Sequence, residues 1–557
     1  MSAGRYFLLV VGLLCGCGKE IAQTAERAPP STAPDCSAPG ALVLPSSAVF
    51  GTGNEPRSIL VGSGYGGGEG PGLFVTARDA FRVYLNGALV ITSSAPRVAE
   101  FVPLTLLPGD NVLTVVIAAS SGTPAALLEL DELEQSYTSD ASWRVSSAPS
   151  SGFDSPSYDD SNWPNAVDFG RIGELPGCDP GSGFPTDSQA RWIGPAPGSG
   201  STAVLRKVIS IVPIGYGAGT TGGNGATPTV VSTWDELQAA ATTADTPAVI
   251  LLAEGKYDFR DAERDQPACP SACASDSSKM EYAVLVPPAT CALALVTKTR
   301  NERTLNLGSN KTLVGLGRGA QIRGVSMEFG SSHNLIARNL AVYDVNPALI
   351  EAGDAFGLSQ PNQVWIDHCT TKWISDGFSD ARAGAQNMTL SWVHFDGVTP
   401  DECDGEHTRA AQITDAIATF HHCFFDHVES HSPTAINATA RVHLFNNLLA
   451  DNLDYGVGSG CGAQVLMEGN TLQRVAIATE RATCADGSLL GLIQAPAGSN
   501  YYGADVGPNH GGDGMEPHDA VFKPTYPYIV DVPQDTWLTV LSRAGAGGPW
   551  AVPLVLD

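Results

Sequence analysis

Gln363-Val-Trp-Ile-Asp-His-Cys369 belongs to a series of similar phrases that recur along the chain from Asn310 onward. Apolar and polar residues alternate in each phrase, and a polar turn follows. The central apolar residues of five phrases lie 24, 30, 24 and 23 residues apart; they are Ile366, Leu390, Phe420, Leu444 and Met467. Such a unit buries its apolar face only when the next unit stacks on it. A β-meander with coincidental spacing is the alternative, but the repeat favours a parallel β-helix with these side chains stacked inward.

A different pattern precedes the repeat, from residue 41 to residue 211. Short alternating strands are broken by glycine turns, as in Phe81-Arg-Val-Tyr-Leu85 before Asn86-Gly87, which is a strong hairpin signal. This predicts an antiparallel β-sandwich. The segment resembles the galactose-binding-like jelly rolls attached to glycan-active enzymes, through Val83-Tyr-Leu-Asn-Gly87 and Pro108-Gly-Asp-Asn-Val112. Sugar stacking and core packing are both open for its tryptophans, and we favour the core for Trp143, Trp163 and Trp192.

The N-terminus reads as an export signal. Arg5 precedes an apolar run and the sequence Leu14-Cys15-Gly16-Cys17, which resembles a bacterial lipobox. The resemblance implies cleavage before Cys17 and lipid attachment there, with residues 18–40 as a tether; an ordinary secretory signal over residues 1–17 is the alternative. Residues 212–228 are rich in glycine and are predicted to be a flexible linker between the sandwich and a helix that spans residues 229–557. We expect an exported monomer.

Composition narrows the possible partners. The formal net charge of −27 and only 31 lysines and arginines in 557 residues argue against nucleic-acid binding. Ten cysteines remain beyond the lipobox, and an even number in an oxidising compartment favours disulfides. Cys269 and Cys273 have no matching second cluster for zinc, so they are predicted to be disulfide staples.

The repeat region resembles the pectate lyase family. Val364-Trp-Ile-Asp-His368, Asp376-Gly-Phe-Ser-Asp380, His443-Leu-Phe-Asn-Asn447 and Glu468-Gly-Asn470 stand in the family's order. The resemblance implies an all-β protein with a right-handed parallel β-helix preceded by the β-sandwich. It also implies calcium-assisted β-elimination of an acidic plant-type polysaccharide, because calcium at the substrate's carboxylate stabilises the charge that develops.

The family's metal ligands fall on Asp354, Asp376 and Asp380. Three convergent carboxylates repel one another unless a cation or proton relieves them, and calcium prefers such hard oxygen ligands. Local turns or caps are the alternative for each aspartate. A further family acid corresponds to Ala352, although Glu351 lies beside it. Asp367 and His368 lie within the repeated strand and are predicted to be structural.

The family's catalytic arginine is absent from the matching stretch His431-Ser-Pro-Thr-Ala-Ile436. His431 occupies its place and is one candidate base, with an acid limb near neutral pH; Arg441 is a lesser candidate. The family's second arginine and a substrate-binding lysine are also unmatched, and the region from Asp401 to Glu406 has gained negative charge.

Three functions follow from these residues. The first is a calcium-dependent lyase that acts on a uronan, including a modified or less charged one. The second is a glycan-binding surface lipoprotein that has lost the base. The third is a glycoside hydrolase, which needs two opposed carboxyl groups, one of them with a raised pKa. No sequence feature identifies such an acid.

Overall fold

The computed structural model describes residues 70–174, 180, 183–273, 276–284, 291–399, 403, 405, 407–510 and 514–554. The predicted signal peptide, the tether and residues 41–69 lie outside these ranges, as do Cys36 and Cys178. Across the described ranges, no helix has both the length and the apolar character needed to cross a membrane.

Eleven strands form the N-terminal part. They are β1 (Gly72–Ala77), β2 (Ala80–Leu85), β3 (Ala88–Ser93), β4 (Glu100–Pro103), β5 (Gly109–Ala118), β6 (Ala126–Asp131), β7 (Ser136–Thr138), β8 (Arg144–Ser146), β9 (Val167–Arg171), β10 (Arg191–Gly194) and β11 (Thr202–Ile211). One sheet has the order β4-β1-β6-β10-β9 with β7 beside β6, and the other has the order β3-β2-β5-β11-β8. All the pairings are antiparallel, and apolar residues of both sheets share one core, as expected for a β-sandwich.

Thirty further strands follow. They are β12 (Thr229–Val231), β13 (Ala248–Leu252), β14 (Gly255–Asp258), β15 (Arg264–Ala272), β16 (Met280–Val284), β17 (Val296–Arg300), β18 (Arg303–Asn306), β19 (Lys311–Gly315), β20 (Ala320–Arg323), β21 (Val325–Glu328), β22 (His333–Arg338), β23 (Leu340–Val345), β24 (Phe356–Ser359), β25 (Asn362–Asp367), β26 (Thr370–Ile374), β27 (Ser379–Arg382), β28 (Gln386–Ser391), β29 (His394–Asp396), β30 (His407–Arg409), β31 (Gln412–Thr414), β32 (Ile417–His421), β33 (Phe424–Asp426), β34 (Val428–Ser430), β35 (Thr434–Ile436), β36 (Arg441–Phe445), β37 (Leu448–Gly460), β38 (Gln464–Glu468), β39 (Thr471–Ala482), β40 (Leu492–Gln494) and β41 (Tyr501–Tyr502). The helices are α1 (Trp234–Ala241), α2 (Pro533–Arg543) and a 3₁₀ turn (Gly548–Trp550).

These strands stack in parallel on three faces. The first face has the order β12-β13-β19-β22-β25-β28-β32-β36-β38-β40. The second face runs β14-β20-β23-β26-β29-β33 and the third runs β18-β21-β24-β27-β31-β35, and the long strand β37 continues both. An antiparallel insert, β16-β15-β17, stands apart from the three faces. The predicted all-β class, a parallel β-helix preceded by a sandwich, is therefore confirmed.

The predicted inward column is also confirmed. Ile366, Leu390, Phe420, Leu444 and Met467 are direct partners on successive strands of the first face, and all are fully buried. Truncating a buried leucine in such a core costs about 2–5 kcal/mol. At the end of each first-face strand from β22 to β38 the chain turns through a residue with positive φ, such as Asn339, Asn446 or Gly469. This repeated left-handed corner directs each coil onto the second face.

Residues 212–228 do not form the flexible linker that their composition predicts. Gly217 N–H donates to Thr389 Oγ1, and Gly223 N–H donates to Thr312 Oγ1, both at 2.9 Å. A Cβ on either glycine would overlap the backbone of the β-helix. The glycines are therefore needed for close approach, and threonines on the first face supply the acceptors that fix the segment.

A buried ion network joins the sandwich to the helix. Arg338 on β22 is inaccessible to solvent, and its Nε donates to Asp367 Oδ2 at 2.7 Å. Its Nη2 reaches Glu132 Oε2 of the sandwich at 3.1 Å, while His368 Nδ1 lies 2.8 Å from Asp367 Oδ2. Ile336 and Trp365 pack into the sandwich core beside it. Asp367 and His368 are structural, as predicted.

The C-terminal tail packs along the outside of the helix. Asn446 Nδ2 donates to Ile529 O at 2.9 Å, and Gly545 N–H donates to Trp392 O at 2.7 Å, nearer the N-terminal coils. Arg543 then donates to Glu134 O of the sandwich at 2.8 Å. The tail thus ties the last coils, the middle coils and the sandwich together.

Not every cysteine in the described part of the chain forms a disulfide. The disulfides in the described part of the chain are Cys269–Cys291, Cys273–Cys403 and Cys461–Cys484. Cys269 and Cys273 are therefore disulfide staples, as predicted. Cys369 and Cys423 are free, because each lies inside the stacked helix, where its thiol bonds to backbone carbonyls.

Candidate functional site

Three carboxylates converge on the third face. Asp354 precedes β24, Asp376 precedes β27, and Asp380 lies on β27. The carboxylate oxygens that they offer lie within 4.8 Å of one another. The structure therefore brings together all three aspartates that the sequence suggests as metal ligands.

Local backbone geometry produces this convergence. Asp376 N–H donates to Gly353 O at 3.2 Å, which places Asp376 against the coil that carries Asp354. A Cβ on Gly377 would overlap the Asp380 carboxylate, so the glycine leaves room for that group beside the backbone. Gln412 N–H on the next coil donates to Asp380 Oδ1 at 2.9 Å and fixes its orientation.

The electrostatics of the cluster favour a proton or a cation. Burial raises the pKa of Asp354 to about 8, and the negative charges of Asp380 and Asp376 add to the effect. Burial also raises the pKa of Asp380 to about 6, and the hydrogen bond from Gln412 opposes part of that rise. Arg382 Nη2 approaches Asp354 Oδ2 at 3.4 Å, but the arginine side chain is 53% exposed. The cluster therefore retains desolvated negative charge that a bound cation would relieve.

A fourth acid completes the surroundings. Ala352, at the family's other acidic position, is fully buried and offers only its carbonyl to Asn346 Nδ2 at 2.8 Å. Burial raises the pKa of Glu351, and the negative charge of nearby Asp376 raises it further. Glu351 therefore lies near the cluster and can contribute a negative charge there, whereas Ala352 cannot.

The cluster belongs to a side-chain column that extends along the third face. Asp380 pairs with Gly357 on the preceding coil. On the next coil the pairing of Ala381 with Ile413 sets Asp380 beside Gln412, and Gln412 pairs in turn with Thr434. Thr434 pairs in turn with Gly458, which pairs with Glu480. Neighbouring strands lie about 4.8 Å apart, so this column defines an extended surface along the helix.

His431 reaches the same face. It precedes β35, and its carbonyl accepts from Ala411 N–H at 2.9 Å, one coil beyond the Gln412 coil. Its Nδ1 lies 2.9 Å from Ser430 Oγ. Burial is the main cause that lowers the pKa of His431 to about 4, and the positive charge of Arg409 adds to it. The expectation of a titration near neutrality is therefore wrong, because the ring is desolvated and lies near a fixed cation.

Arg441 does not join this site. It begins β36 on the first face, where it pairs with Ile417 and Gln464. Its charge acts instead on Tyr216 in the glycine-rich segment, where it opposes the rise that burial causes in the tyrosine pKa. Arg441, the lesser candidate base, therefore lies on a different face from His431, because the residues between β35 and β36 form a corner.

Arg409 is a functional candidate that the sequence reasoning missed. It ends β30, where it pairs with Ser430, and its Nη2 lies 3.8 Å from Glu351 Oε1. It is partly buried, and its charge acts on both Asp380 and His431. The acidic stretch from Asp401 to Glu406 comes directly before it, and an arginine so close to this stretch is the available sequence signal.

Other sequence candidates lie elsewhere. Trp143 and Trp192 are buried in the sandwich, as favoured, while Trp163 is half-buried and packs edge-on against Tyr158. A raised-pKa acid, which the sequence does not identify, exists in Asp354. However, the three aspartates crowd within 4.8 Å of one another, closer than the ~5–9.5 Å that separates the opposed carboxyl groups of glycoside hydrolases.

Comparisons with known proteins agree with the motif resemblance. Residues 289–488 match the family model described as pectate lyase. The chain is 30% identical over 276 residues to the probable pectin lyase F-2 of Aspergillus terreus, a match that spans 47% of this chain and 57% of that relative. It is 29% identical over 274 residues to pectin lyase B of Emericella nidulans, which spans 47% of this chain and 72% of that protein.

Two solved structures of pectate lyases are similar to part of this chain. Pectate lyase II of Xanthomonas campestris matches with 21% identity and a TM-score of 0.41, covering 61% of this chain and 100% of that chain. A pectate lyase of a Paenibacillus species matches with 16% identity and a TM-score of 0.44, covering 60% and 96%. Residues 289–488 of this chain are thus similar to the pectate lyase family, and the chain spans 57% of the length of the pectin lyase F-2 relative.

Proposed function

We propose that this β-helix, related to pectate and pectin lyases, cleaves a uronic-acid polymer by calcium-assisted β-elimination. The observation that carries the proposal is the convergence of Asp354, Asp376 and Asp380 beside Arg409 and His431. The carboxylates supply charge for a cation, Arg409 supplies a partner for a substrate carboxylate, and His431 supplies a neutral imidazole. We also propose that the protein is exported, and that it is either secreted or anchored to a membrane by a lipid on Cys17.

The acid cluster fits a calcium ion. Calcium takes 6–8 oxygen ligands, of which carboxylates are the commonest charged type. Asp354, Asp376 and Asp380 would hold the ion, with Glu351 close by and substrate or water oxygens as the remaining ligands. When bound, calcium supplies positive charge that stabilises the negative charge developing beside the substrate's carboxylate.

The protein's own side chains carry the remaining chemistry. With its proton on Nδ1 and donated to Ser430 Oγ, His431 presents the Nε2 lone pair as the base. Nε2 takes the proton from the carbon next to the carboxylate, and the electron pair of that C–H bond forms a carbon–carbon double bond. The bond to the glycosidic oxygen breaks, and that oxygen takes a proton from solvent. Arg409 orients the carboxylate through the reaction.

A second function, glycan binding without cleavage, is favoured by one observation. The His431 pKa of about 4 makes the imidazole a weak acceptor for a proton on carbon. In this alternative the acid cluster and Arg409 bind the uronan, and no bond is broken.

A panel of uronans tests the proposed function. The wild type is incubated with each polymer in calcium, and unsaturated products are followed by ultraviolet absorbance. We expect cleavage of at least one polymer, abolition by His431→Ala and retention by Arg441→Ala, which changes an exposed residue on another face. Full activity of His431→Ala rules out His431 as the base. Binding of a uronan without cleavage by the wild type at any pH supports the second function instead.

A further inference from the structure

The third face continues beyond His431 into a cavity of about 370 Å³. Its wall includes the ring of Tyr455, whose centroid lies 5.6 Å from that of His431. The disulfide Cys461–Cys484 lies at its rim. The cavity therefore opens directly from the proposed catalytic residue along the same column that carries Asp380.

Glycine makes room for this cavity. Gly458 lies between Thr434 and Glu480 in the column, and a Cβ at this position would overlap the Thr434 side chain and crowd the Tyr455 ring. The backbone floor stays open, and an aromatic face stands beside it. This is a shape that accepts a flat pyranose ring, since an aromatic ring buries the apolar side of such a sugar.

The charge of the cavity differs from that of the acid cluster. None of the described residues that line it is a lysine or an arginine, whereas Arg382 and Arg409 flank the cluster. Glu480 brings a carboxylate to the wall, held by a 2.6 Å bond from His510 Nδ1. The negative charges of Asp454 and Glu480 both act on the Tyr455 phenol. A free carboxylate placed beside Glu480 meets like charge, and no lysine or arginine among the described lining residues offsets it.

The two regions are separate parts of one surface. Asp380 and Glu480 are four strand spacings apart in the column, about 19 Å at the usual separation of parallel strands. An extended polysaccharide that places a charged unit at the acid cluster therefore places a different unit in the cavity. The two units can differ in charge.

We propose that the cavity beside His431 is a subsite for an uncharged sugar unit of the uronan, and that Glu480 excludes a free carboxylate from it. The uncharged unit is either an esterified uronate or a neutral hexose, since both lack the carboxylate. This inference rests on the proposed function. It specifies in addition which units of the bound polymer carry a free carboxylate and which do not. The preferred polymer carries free carboxylates at some units and none at others.

Charge variants of Glu480 test the subsite in the full-length protein. Affinity and cleavage rate are measured on galacturonan that is fully de-esterified, on partly esterified galacturonan and on a uronan that alternates with neutral hexoses. The wild type should prefer at least one of the last two by about tenfold, because like charges at close range are costly. Glu480→Lys should abolish or reverse this preference for the less charged polymers. Glu480→Gln should reduce the preference by a smaller amount. Asp505→Lys changes an exposed carboxylate outside the cavity and should leave the preference unchanged.

The separate readouts distinguish the two proposals. A preference in affinity that Glu480→Lys removes, without cleavage of any polymer, supports the subsite and contradicts the lyase. Cleavage with the same preference in wild type and Glu480→Lys overturns the subsite and leaves the lyase intact. A wild type that binds none of the polymers contradicts both. Preference for the esterified polymer or for the alternating one identifies the uncharged unit.

Discussion

Asp380 and Glu480 occupy the same side-chain column of the third face, joined through the direct strand partners of the coils between them. One carboxylate is buried in a cluster of acids, and the other lines an open cavity. The β-helix thus repeats one position coil after coil while the chemistry at that position changes. A single groove gains distinct binding sites in this way.

Removing one acid should stabilise the calcium-free protein. Asp354→Asn takes a like charge out of a desolvated cluster, and we expect the free energy of unfolding to rise by about 1–3 kcal/mol in chelator near pH 8. The same variant should lose most of the stabilisation that calcium gives, which for the wild type is about 2.7 kcal/mol at a hundredfold excess over Kd. Thermal unfolding with calcium and with chelator measures both effects. Asp505→Asn, at an exposed acid, serves as the control.

Lower stability of Asp354→Asn than of the wild type, in chelator at pH 8, would contradict a raised pKa of Asp354. So would equal stabilisation of the variant and the wild type by calcium.

Stability should fall with rising pH when calcium is absent. The pKa values of Asp354 and Asp380 are raised in the folded protein to about 8 and about 6, so the folded state binds more protons than the unfolded state above pH ~4. The favourable protonated form is therefore lost as pH rises through about 6 to 8. Calcium binding should strengthen over the same window and release protons, which calorimetry in two buffers of different ionisation enthalpy detects. Binding that weakens from pH 5 to pH 8 contradicts this assignment.

Arg409 should matter most for substrates with free carboxylates. Arg409→Ala should raise KM for a de-esterified uronan by about tenfold or more, because a charge-assisted hydrogen bond is lost. Arg409→Lys should recover part of the loss, since it keeps the charge but not the bidentate geometry. Arg474→Ala, which removes an exposed arginine paired with Asp451, provides the comparison. Equal KM values for Arg409→Ala and Arg474→Ala would remove Arg409 from the site.

The glycine-rich segment should behave as part of the folded core. Gly217→Ala forces a Cβ against Val364 O and the Thr389 side chain, and we expect a loss of about 1–3 kcal/mol. Ala218→Ser, at the exposed neighbouring position, should have little effect. Denaturant unfolding of the two variants measures the difference. A segment that acts as a flexible linker would tolerate both substitutions equally.

The sequence predicts the features that depend on repetition. Leu390 and Met467 recur at a near-constant spacing because each coil must bury one inward residue, and this makes the β-helix recognisable. The convergence of Asp354 with Asp380 follows from motif order once the helix is assumed. Features that depend on contact between distant segments are hidden. Nothing local to Gly217 reveals the threonine that it meets on β28.

The remaining misses have similar physical causes. Arg409 lies beyond an insertion that disrupts the spacing, and only the stacking of β30 on β34 places it near His431. The lowered pKa of His431 depends on burial and on that same arginine, which sequence position alone does not show. Arg441 was expected to approach the site, but a corner between β35 and β36 takes it to another face.

The most direct test of the central claim is the formation of unsaturated uronide ends by the wild type, first in calcium, then in excess chelator, and finally after calcium is restored. Absorbance of the new double bond gives the rate in each condition. We predict cleavage that stops with chelator and returns with calcium, and no cleavage by Asp376→Asn or Asp380→Asn at the same calcium concentration. Undiminished formation of unsaturated ends in chelator, or by both variants, would contradict a calcium-assisted lyase.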